Sequence, residues 1–197
     1  MSINIILAVV IGILAGLFAI PKEFSQHLGL IIDIGLCALL FFVGMDIGRN
    51  KEILQQIKAK GFKILLVPLG VALGSITGSV LGGWALGLPF NESAAIGAGF
   101  GWYTLSAIEL SKYSVETGAL AFITNVCREV IALISIPYIA KYLGKLEAIA
   151  PAGATAMDTS LPVISKSTDA NTAIISFITG VVLSTLVPIL VPILIGL

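Results

Sequence analysis

Five apolar stretches in this sequence are each long enough to cross a lipid bilayer as a helix. The hydrocarbon core of a bilayer is about 30 Å thick and requires about 20 residues of helix. The stretches of that length are 3–20, 28–47, 62–86, 118–142 and 173–195. Of the 197 residues, 57% are hydrophobic and only 11% are charged, whereas soluble domains carry about 25% charged residues. We therefore predict an all-α integral membrane protein with a single transmembrane transport domain over residues 1–197.

Two further apolar stretches, 94–112 and 149–168, contain too many helix breakers for ordinary spans. The first has three glycines at alternate positions, and the second has Pro151, Gly153 and Pro162 among small and polar residues. Irregular backbone at membrane depth persists only where it is buried in protein or lines a wet cavity. We predict that both stretches form re-entrant or broken-helix hairpins.

Charged residues set the predicted orientation in the membrane. The loop 49–63 carries five lysines and arginines and a single acid, so the positive-inside rule places it and the N-terminus in the cytoplasm. Re-entrant hairpins then keep most loop cations inside, enter from opposite faces and leave the C-terminus outside. Two broken segments of opposite entry are typical of secondary transporters, which bind their substrate near the midplane.

Arg128 and Glu129 lie near the middle of the predicted span 118–142. A charged group at that depth costs roughly 2.5–3.5 kcal/mol on insertion scales, and such residues usually face a cavity and handle ions, protons or substrates. Asn125 lies one turn before Glu129 and shares its helix face, while Arg128 points about 100° away. The alternative is that Arg128 and Glu129 form a structural ion pair.

Asp158 is the second candidate carboxylate, and it lies in the second broken stretch. Thr159, Ser160 and Pro162 follow it, and these residue types favour the start of a half-helix. Glu129 and Asp158 together could hold an ammonium group, or one of them could carry a proton whose release is coupled to substrate binding. The alternative is that Asp158 only caps the half-helix.

The glycine-rich first hairpin supplies the remaining candidates. Gly99 and Gly101 free backbone groups, Trp102 and Tyr103 supply aromatic walls that attract ammonium groups, and Ser106 adds a hydroxyl. A purely structural glycine-rich crossing, with the aromatics at the membrane interface, is the alternative. We predict no metal site and no cofactor, and the net charge of zero argues against a nucleic-acid partner.

Four stretches, in this order, resemble the signature stretches of the lysine exporter family (LysO type). They are FVGMDIG at 42–48, GFGWYTLS at 99–106, NVCRE at 125–129 and TAMDTSLP at 155–162. The resemblance implies export of L-lysine, and of its toxic analogue thialysine, across the inner membrane, driven by the proton-motive force. It also implies that the intramembrane acids aligned with Glu129 and Asp158 are essential.

The resemblance covers the C-terminal two-thirds of full-length family members, which have further spans before the matched region. It therefore implies that the chain works as a homodimer or with a small companion membrane subunit.

The working hypothesis is proton antiport by a transporter that is not an enzyme. Glu129 and Asp158 share the ammonium groups of lysine, and either Arg128 or a half-helix N-terminus binds its carboxylate. Sodium is the alternative coupling ion. Rival hypotheses are a passive channel built from re-entrant loops, a transporter of another small cationic or amino-acid substrate, an intramembrane protease with two aspartates, and a subunit of a split transporter.

Overall fold

The computed structural model describes residues 61–197, except the side chains of residues 62 and 63. Before residue 61 it describes eight separate helical positions, which are Leu7, Ile11, Leu14, Ala15, Phe18, Ile34, Phe41 and Met45. The predicted spans 3–20 and 28–47 and most of the basic loop 49–63 therefore lie outside the described residues.

All regular structure from residue 61 onward is helical, with no strand in this range. The prediction of an all-α protein is confirmed for this part of the chain. The α-helices are α1 (Leu66–Ala85), α2 (Phe90–Gly97), α3 (Tyr103–Ser111), α4 (Val115–Tyr142), α5 (Leu161–Ser167) and α6 (Ala170–Ile195). Short 3-10 turns occupy Gly61–Leu65, Glu147–Ile149 and Gly153–Met157.

Three helices are long and apolar enough to cross a membrane, and they coincide with the last three predicted spans. α1 has 20 residues, α4 has 28 and α6 has 26. α4 and α6 each begin three residues before the predicted start, because a polar side chain caps each helix. Ser114 accepts a hydrogen bond from the Thr117 amide before α4, and Asp169 accepts one from the Thr172 amide before α6.

Both stretches predicted as broken helices are interrupted in the structure. In the first, α2 and α3 are separated by a turn over residues 98–102, where Phe100 (φ 48°) and Gly101 (φ 98°) adopt the left-handed region. In the second, two 3-10 turns precede the short α5, and Gly153 (φ 63°) takes the left-handed conformation. A buried phenylalanine with positive φ is strained, so its surroundings must hold it in place.

Helix α6 packs against both broken segments. It contacts α2 and α3 of the first, and α5 and the Gly153–Met157 turn of the second. Leu183, Val187 and Val191 of α6 belong to one buried cluster with Phe100 and Ala154. The breaks of the two segments therefore share a core on the same face of α6.

The two ends of each broken segment are tied together. Thr117 at the start of α4 donates a hydrogen bond to the Glu92 carboxylate at the start of α2, at 3.0 Å. Lys145 after α4 forms a salt bridge with Asp169 before α6, at 2.8 Å. Each segment therefore begins and ends at neighbouring positions in the structure.

The approach of the Gly153–Met157 turn to α6 requires Gly180. A methyl group on Gly180 would overlap backbone atoms of Met157 and Ala154. We predict that Gly180→Ala destabilises the protein by about 1–3 kcal/mol, the usual cost of overpacking. Thermal unfolding in detergent should show the loss. Gly196→Ala at the end of α6 is the matched control, since its added methyl would make only ordinary contacts, at 3.4 Å and beyond. An equal Tm for both variants would contradict the prediction.

Asp169 combines a helix cap with the Lys145 salt bridge, and two variants separate these roles. The Lys145 ammonium holds the pKa of Asp169 down, to about 2. Because the folded pKa is depressed, the stabilisation is present above the unfolded pKa of about 4 and is lost as the pH falls through about 2. Asp169→Asn keeps a capping oxygen but has no charge, so we predict that it loses the salt bridge and with it this pH dependence. Asp169→Ala should lose about 0.5–2 kcal/mol of capping as well. Unfolding curves from pH 2 to 6 measure both effects, and identical curves for the two variants would refute the division.

Candidate functional site

A cavity of about 240 Å³ lies where the two broken segments meet α4 and α6. Its walls combine carboxyl, hydroxyl and aromatic side chains with backbone of the two breaks. The lining residues are Gly101, Trp102, Tyr103, Thr104, Glu129, Ala154, Thr155, Met157, Asp158, Thr159 and Ser184.

Glu129 and Asp158, the two predicted carboxylates, both line this cavity. Glu129 projects from the middle of α4, and Asp158 follows the Gly153–Met157 turn. The two groups are close enough for their charges to interact, and the Thr159 side chain interacts with both. Neither carboxylate forms a salt bridge with any cation in the described part of the chain. The cavity therefore offers two acidic groups that have no cationic partner among the described side chains of residues 61–197.

Asp158 is not a helix cap. The N-cap of α5 is Ser160, and no side chain caps that helix. The Asp158 carboxylate accepts hydrogen bonds from the amide and hydroxyl of Thr159, at 2.5 and 3.3 Å. The Ser160 hydroxyl instead pairs with the Thr155 hydroxyl at 2.9 Å. The loop around Asp158 is thus closed by its own residues, and the carboxylate remains available to the cavity.

Arg128 lies on another face of α4 from Glu129, and the two do not form an ion pair. Its Nε donates to the Pro151 carbonyl at 3.0 Å, and Nη2 donates to the Ala150 carbonyl at 3.3 Å. Nη1 donates to the Ser75 hydroxyl at 2.5 Å. The guanidinium therefore binds the second broken segment and joins it to α1.

Asn125 holds the first break in the same way. Its Oδ1 accepts a hydrogen bond from the Gly101 amide at 2.7 Å, and its Nδ2 donates to the Ala121 carbonyl at 2.9 Å. Nδ2 also lies 3.4 Å from the Ser106 hydroxyl. Gly99 lies so close to both side chains that an added methyl would overlap them. Asn125, Ser106 and Gly99 therefore hold the turn at Gly101 in place, and none of the three lines the cavity itself.

The two breaks also touch each other directly. The Ala154 amide donates to the Phe100 carbonyl at 2.8 Å. Gly153 makes this approach possible, because a side chain there would overlap the Phe100 carbonyl. Ser75 adds an indirect link: it accepts from Arg128 and donates to the Gly97 carbonyl at 2.7 Å.

The predicted site residues thus divide into two groups. Those that line the cavity are Gly101, Trp102, Tyr103, Glu129, Asp158 and Thr159. Those that do not line it are Gly99, Ser106, Asn125, Arg128 and Ser160. Sequence reasoning missed Thr104, Ala154, Thr155, Met157 and Ser184. The sequence offers no signal that singles out Ser184, because α6 also carries the hydroxyls of Thr179 and Thr185.

A larger cavity of about 910 Å³ lies between α1 and α4. Three glycines of α1 and several aliphatic side chains line it, and Arg128 is the one charged residue that lines it in the described part of the chain. Because that guanidinium already binds the second break, the smaller acidic cavity is the better candidate site for a cationic ligand.

Removing the Asn125 side chain should loosen the first break. We predict that Asn125→Ala lowers stability by about 1–3 kcal/mol, because the buried Gly101 amide loses its acceptor. Thr124→Ala is the control, since this neighbour is exposed on α4 and such changes usually stay within about 0.5 kcal/mol. Thermal unfolding of both variants in detergent measures the difference. An unchanged Tm in Asn125→Ala would show that the amide finds another acceptor.

Comparison with known proteins supplies independent evidence. A family model described as "Lysine exporter LysO" matches residues 6–195. The chain is 34% identical to "Lysine exporter LysO" of Escherichia coli (strain K12) over 191 residues, which is 96% of this chain and 62% of that protein. It is 31% identical to a "Putative lysine exporter" of Haemophilus influenzae over 156 residues, 79% of each chain. No solved structure matches it significantly. The chain thus spans less than two thirds of the length of the Escherichia coli relative.

Proposed function

Since the chain belongs to the lysine exporter LysO family, we propose that it exports L-lysine, and analogues such as thialysine, across the inner membrane by proton antiport. The names of the relatives support lysine as the substrate. The observation that carries the proposal is the pair of carboxylates, Glu129 and Asp158, that share one cavity without a cationic partner among the described residues. The protein acts as a transporter and not as an enzyme.

The carboxylates bind the positive charge of the substrate. An ammonium group placed between Glu129 and Asp158 supplies a counter-charge that no described side chain of residues 61–197 provides, and in a site with little water such attraction is stronger than in bulk solvent. Trp102 and Tyr103 line the same cavity, and their ring faces add attraction for a cation.

The start of α3 binds the carboxylate of the substrate. Its first residues, Tyr103 and Thr104, line the cavity, and no side chain caps the helix. The Tyr103 amide donates to the Gly101 carbonyl, and the positive end of the helix dipole favours an anion at this end of the helix. Arg128 was the other candidate from the sequence, but it lies outside the cavity lining and its guanidinium binds backbone carbonyls. The half-helix therefore has the better position.

Proton coupling follows from the same two acids. In the proposed cycle, protons from outside neutralise Glu129 and Asp158, the attraction for the cationic substrate is lost, and lysine leaves outward. Deprotonation toward the cytoplasm restores the site. Sodium in place of protons is the alternative coupling ion.

The broken segments form the two re-entrant hairpins of this cycle. The tie between Glu92 and Thr117, and the salt bridge between Lys145 and Asp169, bring the ends of each segment together. This supports segments that enter the membrane and return to the same side, with two more spans before residue 61. The N-terminus is then cytoplasmic and the C-terminus outside.

The chain acts as a homodimer or with a small companion membrane subunit. Gly70, Gly74 and Gly78 line the larger cavity, and no described atom lies within 4 Å of a methyl added to any of them. Small residues at this spacing allow close helix packing in membranes, which supports a further helix at this face, either from the predicted spans before residue 61 or from a partner.

The proposal is tested by counterflow of L-lysine into proteoliposomes. We expect Glu129→Gln and Asp158→Asn each to lower the flux at least about tenfold, because each removes one of the two charges that hold the ammonium group. Glu109→Gln is the matched control, since Glu109 pairs with Lys112 and does not line the cavity. Unchanged flux in both cavity variants would refute the role of the acids.

Two further readouts of the same proteoliposomes separate the rival mechanisms. A passive channel gives no counterflow, whereas an antiporter does. An imposed pH gradient should drive uphill lysine movement, while an equal sodium gradient should not. Driving by sodium alone would assign the coupling to that ion.

A further inference from the structure

One hydroxyl group of α6 lacks the acceptor that its neighbours have. A serine or threonine in a helix usually donates to the carbonyl of the preceding turn. Thr179 and Thr185 do so, to Ile175 and Val181 at 2.7 and 2.6 Å. Ser184 instead lies 3.8 Å from the Met157 sulfur, and a thioether is a weak acceptor. Its proton is therefore available for a stronger partner.

Ser184 is also the only residue of α6 among those lining the acidic cavity. Leu183 before it is fully buried in the core, and Thr185 after it is exposed. The helix thus turns one hydroxyl, half-buried and near its midpoint, toward the space between the two broken segments.

The chemistry of the cavity decides which group of a ligand the hydroxyl serves. Glu129 and Asp158 are acceptors and attract the ammonium groups of a cationic amino acid. A hydroxyl with a free proton and the uncapped start of α3 are the donors of the same cavity, and donors suit a carboxylate.

We propose that Ser184 donates a hydrogen bond to the carboxylate of the bound amino acid and so distinguishes amino acids from amines of the same length. The proposal rests on the proposed function, because it places an amino acid in the cavity between Glu129 and Asp158. It assigns to α6 a substrate-specificity role that neither the sequence motifs nor the names of the relatives give it.

The test compares L-lysine with 1,5-diaminopentane, which has the same carbon chain and both amino groups but no carboxylate. Proteoliposomes with the full chain are assayed for counterflow of labelled lysine, and the diamine is added as a competitor. In Ser184→Ala we expect the half-saturating concentration of lysine to rise about tenfold, the size of a lost hydrogen bond to a charged group. The maximal rate and the inhibition constant of the diamine should not change.

Two variants separate substrate contact from a structural effect. Ser184→Thr keeps the hydroxyl and should restore much of the affinity for lysine. Thr185→Val removes a neighbouring hydroxyl that does not line the cavity and should leave both constants unchanged. An unchanged half-saturating concentration in Ser184→Ala, or an equal loss for lysine and the diamine, would overturn the proposal. If the diamine does not compete with lysine at all, the comparison rests on Ser184→Thr. Failure of that variant to recover lysine affinity then refutes the proposal.

Failure of the proposed function has a different signature. If wild type shows no lysine counterflow, export of lysine is refuted, and the position of Ser184 is tested by labelling. With Cys37 and Cys127 replaced by serine, Ser184→Cys should react with a charged, water-soluble thiol reagent, and Thr185→Cys should not. Equal labelling of both, or of neither, would overturn the placement of Ser184 in a polar cavity. If wild type transports lysine, Ser184→Cys is labelled with and without lysine. Labelling that lysine does not slow refutes the contact between Ser184 and the substrate and leaves the proposed function standing.

Discussion

The hydrogen bond between the Ala154 amide and the Phe100 carbonyl, at 2.8 Å, is the contact on which the rest of the site depends. A helix that breaks at membrane depth exposes backbone groups that hydrocarbon cannot satisfy. Here the two breaks meet, and a backbone amide of one donates a hydrogen bond to a backbone carbonyl of the other. Phe100 has a strained backbone conformation, and Gly153 lies in close contact with its carbonyl. Each break therefore helps to hold the other in its conformation.

The Asn125 and Arg128 side chains of α4 hold the two breaks in place, and the Glu129 side chain lines the cavity. Asn125 binds the first break and Arg128 the second. Asn125 and Glu129 are four residues apart and share a face of α4, whereas Arg128 lies about 100° around the helix from Glu129. Asn125 and Arg128 satisfy backbone groups, while Glu129 lines the cavity and forms no salt bridge with a described side chain of residues 61–197. Within one turn of this span, two polar side chains therefore bind backbone groups and a third lines the cavity.

The sequence predicted the long helices, the two interruptions and the acidic pair, because apolar length, glycine and proline content and isolated carboxylates are properties of single segments. It did not predict what Arg128 binds. Its acceptors are the carbonyls of Ala150 and Pro151, which any residue type would present. Ser184 was missed for a related reason: its meaning comes from the absence of a carbonyl acceptor, which depends on the packing of α6 against the Met157 loop. Helix caps at Ser114 and Asp169 moved two boundaries by one turn, a shift that hydropathy does not encode.

The contact between the two breaks also bears on the choice between an antiporter and a passive channel. The two breaks are in direct contact beside the cavity, whereas a channel needs a continuous wet path. In the proposed cycle, one hairpin must move relative to the other, and this breaks the bond between Ala154 and Phe100. Leaving a buried amide or carbonyl unsatisfied costs about 1–3 kcal/mol. Binding of a proton or of a cationic substrate to Glu129 and Asp158 can bias an equilibrium by a similar amount, provided that its affinity for the two arrangements differs. The proposed cycle therefore requires the substrate or the proton to bind the two arrangements with free energies that differ by about the cost of this hydrogen bond.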